Sequence, residues 1–221
     1  MRFRLVLLLL VGLLSFGFLA PAQAAEPTVS ITGRGYSVAG QSVAFTVKAS
    51  NGQNNPLYLT ITQPGAEPKT FGLSVTTNEF EDVYRFQLLV NTTITAHLGD
   101  VASDTISVQV RPAIGTKARS RHGTSGRYAL FARGLEPLFR SALAPKIWQN
   151  RCMRHEVQRL RDGVWRTVVI SGCRSLNSEA QVGWRWMGSH PVGPSFRVRA
   201  TFAGDQYNAK GPGAWAYFRF R

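Results

Sequence analysis

The chain has 221 residues, a formal net charge of +14 at pH 7 and two cysteines. A chain of this length can form one large domain or two of ordinary size. A structural zinc site needs more ligands at short spacing than the two cysteines provide, and none is present beside them. Beyond residue 24 no segment is apolar enough to span a membrane.

The N-terminus has the pattern of a secretory signal peptide. Arg2 and Arg4 form a short positive segment, and residues 5–20 form an apolar run without a charged residue. A proline then ends the run, and residues 22–24 (AQA) have the small-x-small pattern that signal peptidase recognises. A run of 16 residues is shorter than the roughly 20 that a spanning helix needs. We therefore expect cleavage after Ala24 and an extracellular mature protein with no transmembrane anchor.

Both cysteines lie in the part of the chain that export would deliver outside the cell. Cys152 and Cys173 are 21 residues apart. In an oxidising compartment, an even pair of this kind predicts one disulfide. The loop-entropy model assigns such a bridge roughly 3 kcal/mol of stability.

Charge divides the mature chain into two parts. Residues 25–112 carry five Lys or Arg against seven Asp or Glu, a net charge of −2. Residues 113–221 carry nineteen Lys or Arg, sixteen of them Arg, against five Asp or Glu, a net charge of +14. This asymmetry predicts separate domains, the second with affinity for polyanions. The alternative is a compositional preference for Arg codons together with solvated strand faces.

Apolar and polar residues alternate along most of the first part, whereas helical periodicity is scarce. The alternating apolar sets are Val43, Phe45, Val47 and Ala49; Leu57, Leu59 and Ile61; Tyr84, Phe86, Leu88 and Val90; and Ile106, Val108 and Val110. Several such short strands between turn residues predict a Greek-key β-sandwich over residues 25–112.

Residues 113–126 are polar, basic and rich in glycine, and we expect a basic linker there. Alternating segments resume afterwards and predict a second sandwich over residues 127–221. Asp162-Gly163 lies between two of them and predicts a hairpin turn. Residues 135–143 are the one segment with a helical pattern, and Pro137 limits that helix to a turn or two.

A weak internal repeat supports two tandem units. Residues 95–100 (TAHLGD) are similar to residues 200–205 (ATFAGD), and each segment follows a long alternating strand. A repeat of about 100 residues is typical of tandem sandwiches.

Two segments resemble tandem bacterial Ig-like domain repeats of secreted and surface proteins. Residues 158–168 (QRLRDGVWRTV) look like the hairpin of those repeats, in which the second strand opens with Trp. Residues 195–200 (SFRVRA), with the following Gly204 and Asp205, resemble a later strand and loop. The resemblance implies an Ig-like sandwich in an exported scaffold, adhesin or binding module, and it carries over no catalytic residue.

No spacing in the chain predicts an enzyme, a cofactor or a metal site. A catalytic centre needs a base, a nucleophile and an orienting group, or clustered metal ligands. No two histidines lie within 20 residues of each other, and we expect all four at the surface: His97, His122, His155 and His190.

The arginine and tryptophan content of the second part is its candidate binding feature. The candidate ligand contacts, in pairs that share one strand face, are Trp184 with Trp186, Arg197 with Arg199, and Arg219 with Arg221. Adjacent strands would set such arginines side by side, where like charges repel unless an anion bridges them. In the alternative interpretation Trp165 and one of the paired tryptophans fill the core, and the arginines are surface residues of an edge strand.

The sequence thus predicts a secreted, non-enzymatic Ig-like protein that acts in binding, adhesion or scaffolding at the cell envelope. Its basic second domain would contact a polyanionic glycan or envelope polymer. Export makes a specific nucleic acid a poor partner. The alternative function is an accessory carbohydrate-binding or inhibitor module that works with an extracellular enzyme.

Overall fold

A computed structural model describes residues 25–51, 55–74, 77–147, 149–188 and 190–221. The predicted signal peptide at residues 1–24 lies outside the described residues. Within them the chain is all β, with twenty strands and no helix that is long and apolar enough to cross a membrane.

The strands divide between residues 28–111, here the N-terminal half, and residues 113–220, the C-terminal half. The N-terminal strands are β1 Thr28–Gly33, β2 Tyr36–Val38, β3 Ser42–Ser50, β4 Leu57–Thr62, β5 Lys69–Leu73, β6 Glu79–Gln87, β7 Thr92–Leu98, β8 Val101–Ala102 and β9 Ile106–Arg111. The C-terminal strands are β10 Ala113–Arg119, β11 Thr124–Ser125, β12 Tyr128–Phe131, β13 Leu138–Ala144, β14 Cys152–Arg161, β15 Val164–Ile170, β16 Arg174–Ser175, β17 Gln181–Arg185, β18 Ser195–Phe202, β19 Gly211–Pro212 and β20 Ala216–Phe220.

The two halves repeat one strand order. The N-terminal half has sheets β1-β3-β6 and β2-β9-β7-β4-β5, and the C-terminal half has β10-β13-β17 and β12-β20-β18-β14-β15. Two-residue strands aside, each half pairs its first, third and sixth strands in one sheet and its other five in the second. Each half also has one parallel pair, β2 with β9 and β12 with β20. This is the order of an Ig-like Greek-key sandwich, and the similar segments at 95–100 and 200–205 end the corresponding strands β7 and β18.

The core of each half lies between its two sheets, because every second side chain of a strand points inward. Along β3 the residues Val43, Phe45, Val47 and Ala49 are buried, and they pack against inward residues of the facing sheet. In the C-terminal half an aromatic cluster occupies this place. Its fully buried rings include Phe131, Phe139, Phe196 and Phe218, and the Phe139 and Phe218 centroids are 5.0 Å apart.

Two segments differ from the sequence prediction. Half of the predicted linker at residues 113–126 is a strand: β10 pairs with β13 over its whole length and belongs to the C-terminal sandwich, and the two-residue strand β11 follows at Thr124–Ser125. The basic side chains of β10 alternate with small or apolar residues, so they occupy one face of a strand. Residues 135–143 are not helical, because Phe139, Ser141 and Leu143 point into the core from β13. A short apolar run is ambiguous between helix and strand until its partners are known.

The predicted hairpin and the disulfide are both confirmed. Asp162 and Gly163 have φ angles of 51° and 76°, the left-handed values that a two-residue type I′ turn requires. Cys152 and Cys173 form a disulfide with a Cα–Cα distance of 5.5 Å. The bridge ties the start of β14 to the segment between β15 and β16.

A buried polar cluster joins the two halves. Asn208 is fully buried, and its Nδ2 donates hydrogen bonds to the carbonyl oxygens of Leu89 and Val110 at 2.9 and 3.1 Å. Its Oδ1 accepts a hydrogen bond of 2.9 Å from the buried guanidinium of Arg151. The same guanidinium forms an ion pair with Asp205. Burial alone would raise the pKa of Asp205, but the hydrogen bonds from Arg151 and from the backbone of Asn208 and Tyr207, together with the charge of Arg151, outweigh it and the pKa is lowered.

Replacing Asn208 by Ala should destabilise the protein and weaken the coupling between its halves. The change leaves the Leu89 carbonyl and a guanidinium N–H of Arg151 without partners, whereas the Val110 carbonyl keeps its hydrogen bond from the Ala209 backbone N–H. We expect a cost of roughly 2–4 kcal/mol. Urea unfolding should show the loss when it is followed by Trp fluorescence, which reports on the C-terminal half because all five tryptophans lie there, and by far-UV circular dichroism, which reports on both halves. Weaker coupling should make the two transitions no longer coincide. Asn78→Ala, at an exposed position before β6, is the control and should change stability by less than about 0.5 kcal/mol. Equal stability of the two variants would contradict this account of the junction.

Two histidines expected at the surface are buried instead. His155 alternates with Met153 and Val157 on the inward face of β14, and its Nε2 lies 3.0 Å from the Ser141 hydroxyl. Its ring stacks on Trp184 with centroids 5.3 Å apart. Burial, with a smaller contribution from Arg174, lowers the pKa of His155 to about 4. His190 is 8% exposed, and burial lowers its pKa as well.

Acidification should therefore destabilise the protein between about pH 6.5 and pH 4. The unfolded chain protonates His155 near pH 6.5 and the folded chain near pH 4, so the unfolded state binds more protons in this window. The stabilisation is complete above pH 6.5 and falls by roughly 3 kcal/mol as the pH drops through the folded pKa. Denaturant unfolding at several pH values should show a shallower pH dependence for His155→Gln, whose side chain still reaches Ser141 but cannot titrate. The same slope in both proteins would exclude His155 as the cause.

Candidate functional site

The outer face of the five-stranded C-terminal sheet carries the predicted arginine row. Phe196, Val198 and Ala200 of β18 point into the core, so Arg197 and Arg199 point outward. The neighbouring strands place aromatic side chains on the same face. These are Trp165 from β15, Trp215 just before β20, and Tyr217 within β20.

Indole rings separate the charges of this row. The Arg197 guanidinium lies 4.6 Å from the Trp165 ring and 4.2 Å from the Trp215 ring. The Arg199 guanidinium lies on Trp215 too, at 4.2 Å. Each ring presents its negative π face to a cation, which stabilises the pair by roughly 0.5–2 kcal/mol. We name the set Trp165, Arg197, Trp215 and Arg199 the arginine–aromatic ladder.

Polar neighbours complete the ladder. Arg197 donates two hydrogen bonds to Oε1 of Gln158, at 2.9 and 2.6 Å. Arg199 donates from Nε to Oε2 of Glu156 at 2.9 Å, and its Nη2 lies 2.7 Å from the same oxygen. Burial raises the pKa of Glu156, but hydrogen bonds from Thr167, Arg199 and Gln158 outweigh that and lower it. The carboxylate is therefore ionised at neutral pH and neutralises one cation.

The other two predicted arginines also have partners within the protein. The Arg219 guanidinium lies 4.0 Å from the Tyr128 ring, and its Nε donates to Ser195 Oγ at 2.9 Å. Arg221 donates a 2.9 Å hydrogen bond to the His122 carbonyl oxygen. The like-charge repulsion expected from the sequence is thus relieved by rings and hydrogen bonds within the protein. A ligand contact by these arginines stays a prediction.

The predicted tryptophan pair faces the core, with Trp184 buried and Trp186 half-buried. Trp184 is 6% exposed and stacks on Phe139. Trp186 packs edge-on against Phe196 and Phe218. Neither tryptophan lies in the arginine row. Trp165, which the alternative interpretation placed in the core, lies on the outer face instead.

A basic cleft opens beside the ladder, along the edge where β10 faces β11, β12 and β20. Its volume is about 780 Å³, and no lining residue is acidic. The four cations that line it are Lys117, Arg119, Arg121 and Arg127, and the two rings are Trp215 and Tyr217. We keep the name basic cleft for this site.

The cleft cations are exposed, and within the described residues none of the four forms a salt bridge. Arg127 stacks on Tyr217, with its guanidinium 4.1 Å from the ring. A hydrogen bond from Arg127, and a second from Ser195, lower the pKa of Tyr128 at the rim. An anion entering the cleft would therefore meet cations whose charge no carboxylate cancels.

Three of these cations, Lys117, Arg119 and Arg121, lie in the segment that the sequence predicts to be a linker, and Arg127 follows it directly. The signal that could have found the strand is the alternation of Lys117 and Arg119 with Thr116 and Ala118. The residues that complete the cleft, Trp215 among them, lie about 100 positions away and share no local pattern with β10.

Among the described residues no group of three or more His, Cys, Asp and Glu side chains is placed to hold a metal ion.

Comparison with known proteins finds similarity only among solved structures. No protein-family model and no curated protein matches the chain. The native conformation of E. coli alpha-2-macroglobulin, determined by cryo-EM, is similar over 90% of this chain and 14% of that chain. The sequence identity is 11% and the TM-score is 0.30, so this similarity supports no conclusion about function.

Removing the central cation of the ladder should destabilise the C-terminal half. Arg197→Ala loses contacts with two indole rings and two hydrogen bonds to Gln158. We expect the free energy of unfolding to fall by roughly 1–3 kcal/mol. The matched control is Arg166→Ala, an exposed arginine of β15, which should change stability by less than about 0.5 kcal/mol. Denaturant unfolding measures both, and equal values would show that the ladder contributes no stability.

Proposed function

We propose that the protein is an exported, non-enzymatic binding protein of the cell envelope whose basic cleft holds a polyanionic glycan. The disulfide and the all-β fold fit an extracellular location. The N-terminal signal pattern favours the same location.

One observation carries the proposal: the cleft gathers four cations and no carboxylate around two aromatic rings. Guanidinium groups bind sulfate, phosphate and carboxylate through paired hydrogen bonds. A ring beside the cations offers an apolar face to the body of a sugar. Cations and rings together suit a glycan that carries repeated negative charges.

The arginine–aromatic ladder fixes the position of one residue that lines the cleft. Trp215 belongs to both sites. The guanidinium groups of Arg197 and Arg199 lie over its indole ring, and the same indole lines the cleft. A ring held between fixed cations loses little conformational freedom when a ligand arrives, which favours binding. The ladder arginines are thus positioning residues for the cleft.

The purified protein should bind heparin, a sulfated glycan, and should not bind neutral dextran. Binding should weaken steeply with salt, because each neutralised anion releases counterions. Arg121→Gln with Arg127→Gln removes two cleft cations and should weaken binding about tenfold or more, with a salt dependence shallower by about one to two ions. Titration calorimetry at several salt concentrations measures both quantities.

The matched control is Arg154→Gln with Arg166→Gln, which removes the same charge from exposed positions on β14 and β15 outside the cleft. Its affinity should stay within about twofold of the unaltered protein, since exposed charges beyond about 8 Å are screened at physiological salt. An equal loss in both double variants would mean that net charge alone attracts heparin. No binding by the unaltered protein at low salt would end the proposal.

A further inference from the structure

A second basic surface lies on the outer face of the three-stranded sheet β10-β13-β17. Exposed side chains of β10 and β13 alternate with buried ones, so Lys117, Arg119 and Arg140 all point away from the core. Three outward residues beside these cations are small, namely Gly115, Ala142 and Gly183. We name this surface the outer basic face.

The register sets two like charges directly opposite each other on this face. Lys117 of β10 pairs with Arg140 of β13 across an antiparallel ladder. Like charges in this position destabilise a sheet. In the arginine–aromatic ladder, indole rings and a carboxylate relieve the same kind of repulsion. Among the described residues neither Lys117 nor Arg140 has an ion-pair partner or a stacked ring. The unrelieved pair marks a place where an external anion would be stabilising.

The face also has room for a ligand. A hollow of about 190 Å³ is lined by Gly115, Lys117, Arg119, Arg140, Ala142 and Gln181. No lining residue is acidic. A Cβ atom added at Gly115 would meet no other atom within 4 Å, so the floor of the hollow is open to solvent.

The hollow and the basic cleft share a wall. Lys117 and Arg119 line both of them, because β10 is the edge strand of its sheet and lies between the two sites. Their side chains are two residues apart on one strand face, about 7 Å along the strand. Adding the neighbouring strand β13 extends the row of cations by about 5 Å more. A ligand that contacts Arg140 on β13 as well as Arg121 or Arg127 in the cleft must therefore be longer than a single sulfate or phosphate group.

We propose that the ligand is an extended polyanionic glycan, one chain of which crosses the edge of β10 and occupies both the basic cleft and the hollow. This rests on the proposed function and adds a second subsite with Arg140 as its specific contact. The subsite makes affinity depend on chain length: a short oligosaccharide fills the cleft alone, and a longer one also relieves the repulsion between Lys117 and Arg140.

Heparin oligosaccharides of increasing length, titrated into the protein by calorimetry, test the proposal. Affinity should rise by about tenfold or more once the chain reaches the hollow, with one chain bound per protein. Arg140→Gln should abolish that rise and leave the affinity of the shortest binding oligosaccharide within about twofold. Arg121→Gln with Arg127→Gln should weaken binding of every length.

Gly115→Trp provides a test without a change of charge. The indole would fill the hollow, and we expect the same loss of the length-dependent rise as for Arg140→Gln. Gly115→Ala is its control, since a methyl group meets open space, and it should bind like the unaltered protein. Unfolding curves for each variant separate a binding defect from a folding defect.

The outcomes distinguish the two proposals. A length-dependent rise that survives both Arg140→Gln and Gly115→Trp overturns the second subsite and leaves the cleft in place. Failure of every oligosaccharide to bind the unaltered protein overturns the proposed function itself. Tighter binding of a single-stranded DNA oligomer with the same number of negative charges would overturn the assignment of the ligand as a glycan.

Discussion

Like charges on neighbouring strands constrain the C-terminal half more than any other interaction. A sandwich sets outward side chains of adjacent strands within about 5 Å of each other, and sixteen arginines in this half make such encounters unavoidable. On the five-stranded sheet Trp165 and Trp215 separate or cover the guanidinium groups, and Glu156 neutralises one of them. This positive surface is therefore internally satisfied, whereas the cations on and around β10 have no carboxylate partner in the described part of the chain.

The position of β10 follows from how the chain joins its two sandwiches. β9 ends at Arg111 and β10 begins at Ala113, so one intervening residue carries the chain from one sandwich into the next. Asn208 and Arg151 close the junction from the C-terminal side with buried hydrogen bonds. Buried polar groups are costly unless all are paired, and this network pairs them. The same arrangement leaves β10 as an edge strand, with one face outward and one edge open toward β11, β12 and β20.

An edge strand rich in cations serves two purposes. Unpaired edges of sheets invite pairing with other chains, and basic side chains on the edge oppose it. The same side chains on β10 line the basic cleft on one side and the outer basic face on the other. A surface that keeps the edge unpaired is thereby also the surface best placed to bind a long anion.

The sequence by itself determined the features that depend on neighbouring residues. Alternation predicted the strands because one face of each is buried, Asp162-Gly163 predicted its turn because both residues tolerate left-handed backbone angles, and the two cysteines predicted their bridge. Only the tertiary structure decided which side chains share a surface. Trp215 and Lys117 meet in the cleft although about 100 residues separate them, Trp184 turns inward while Trp165 turns outward, and residues 113–119 become a strand because β13 pairs with them. Strand pairing and register are set by the whole chain. The local sequence pattern therefore shows which cations the chain contains, but not which of them share one site.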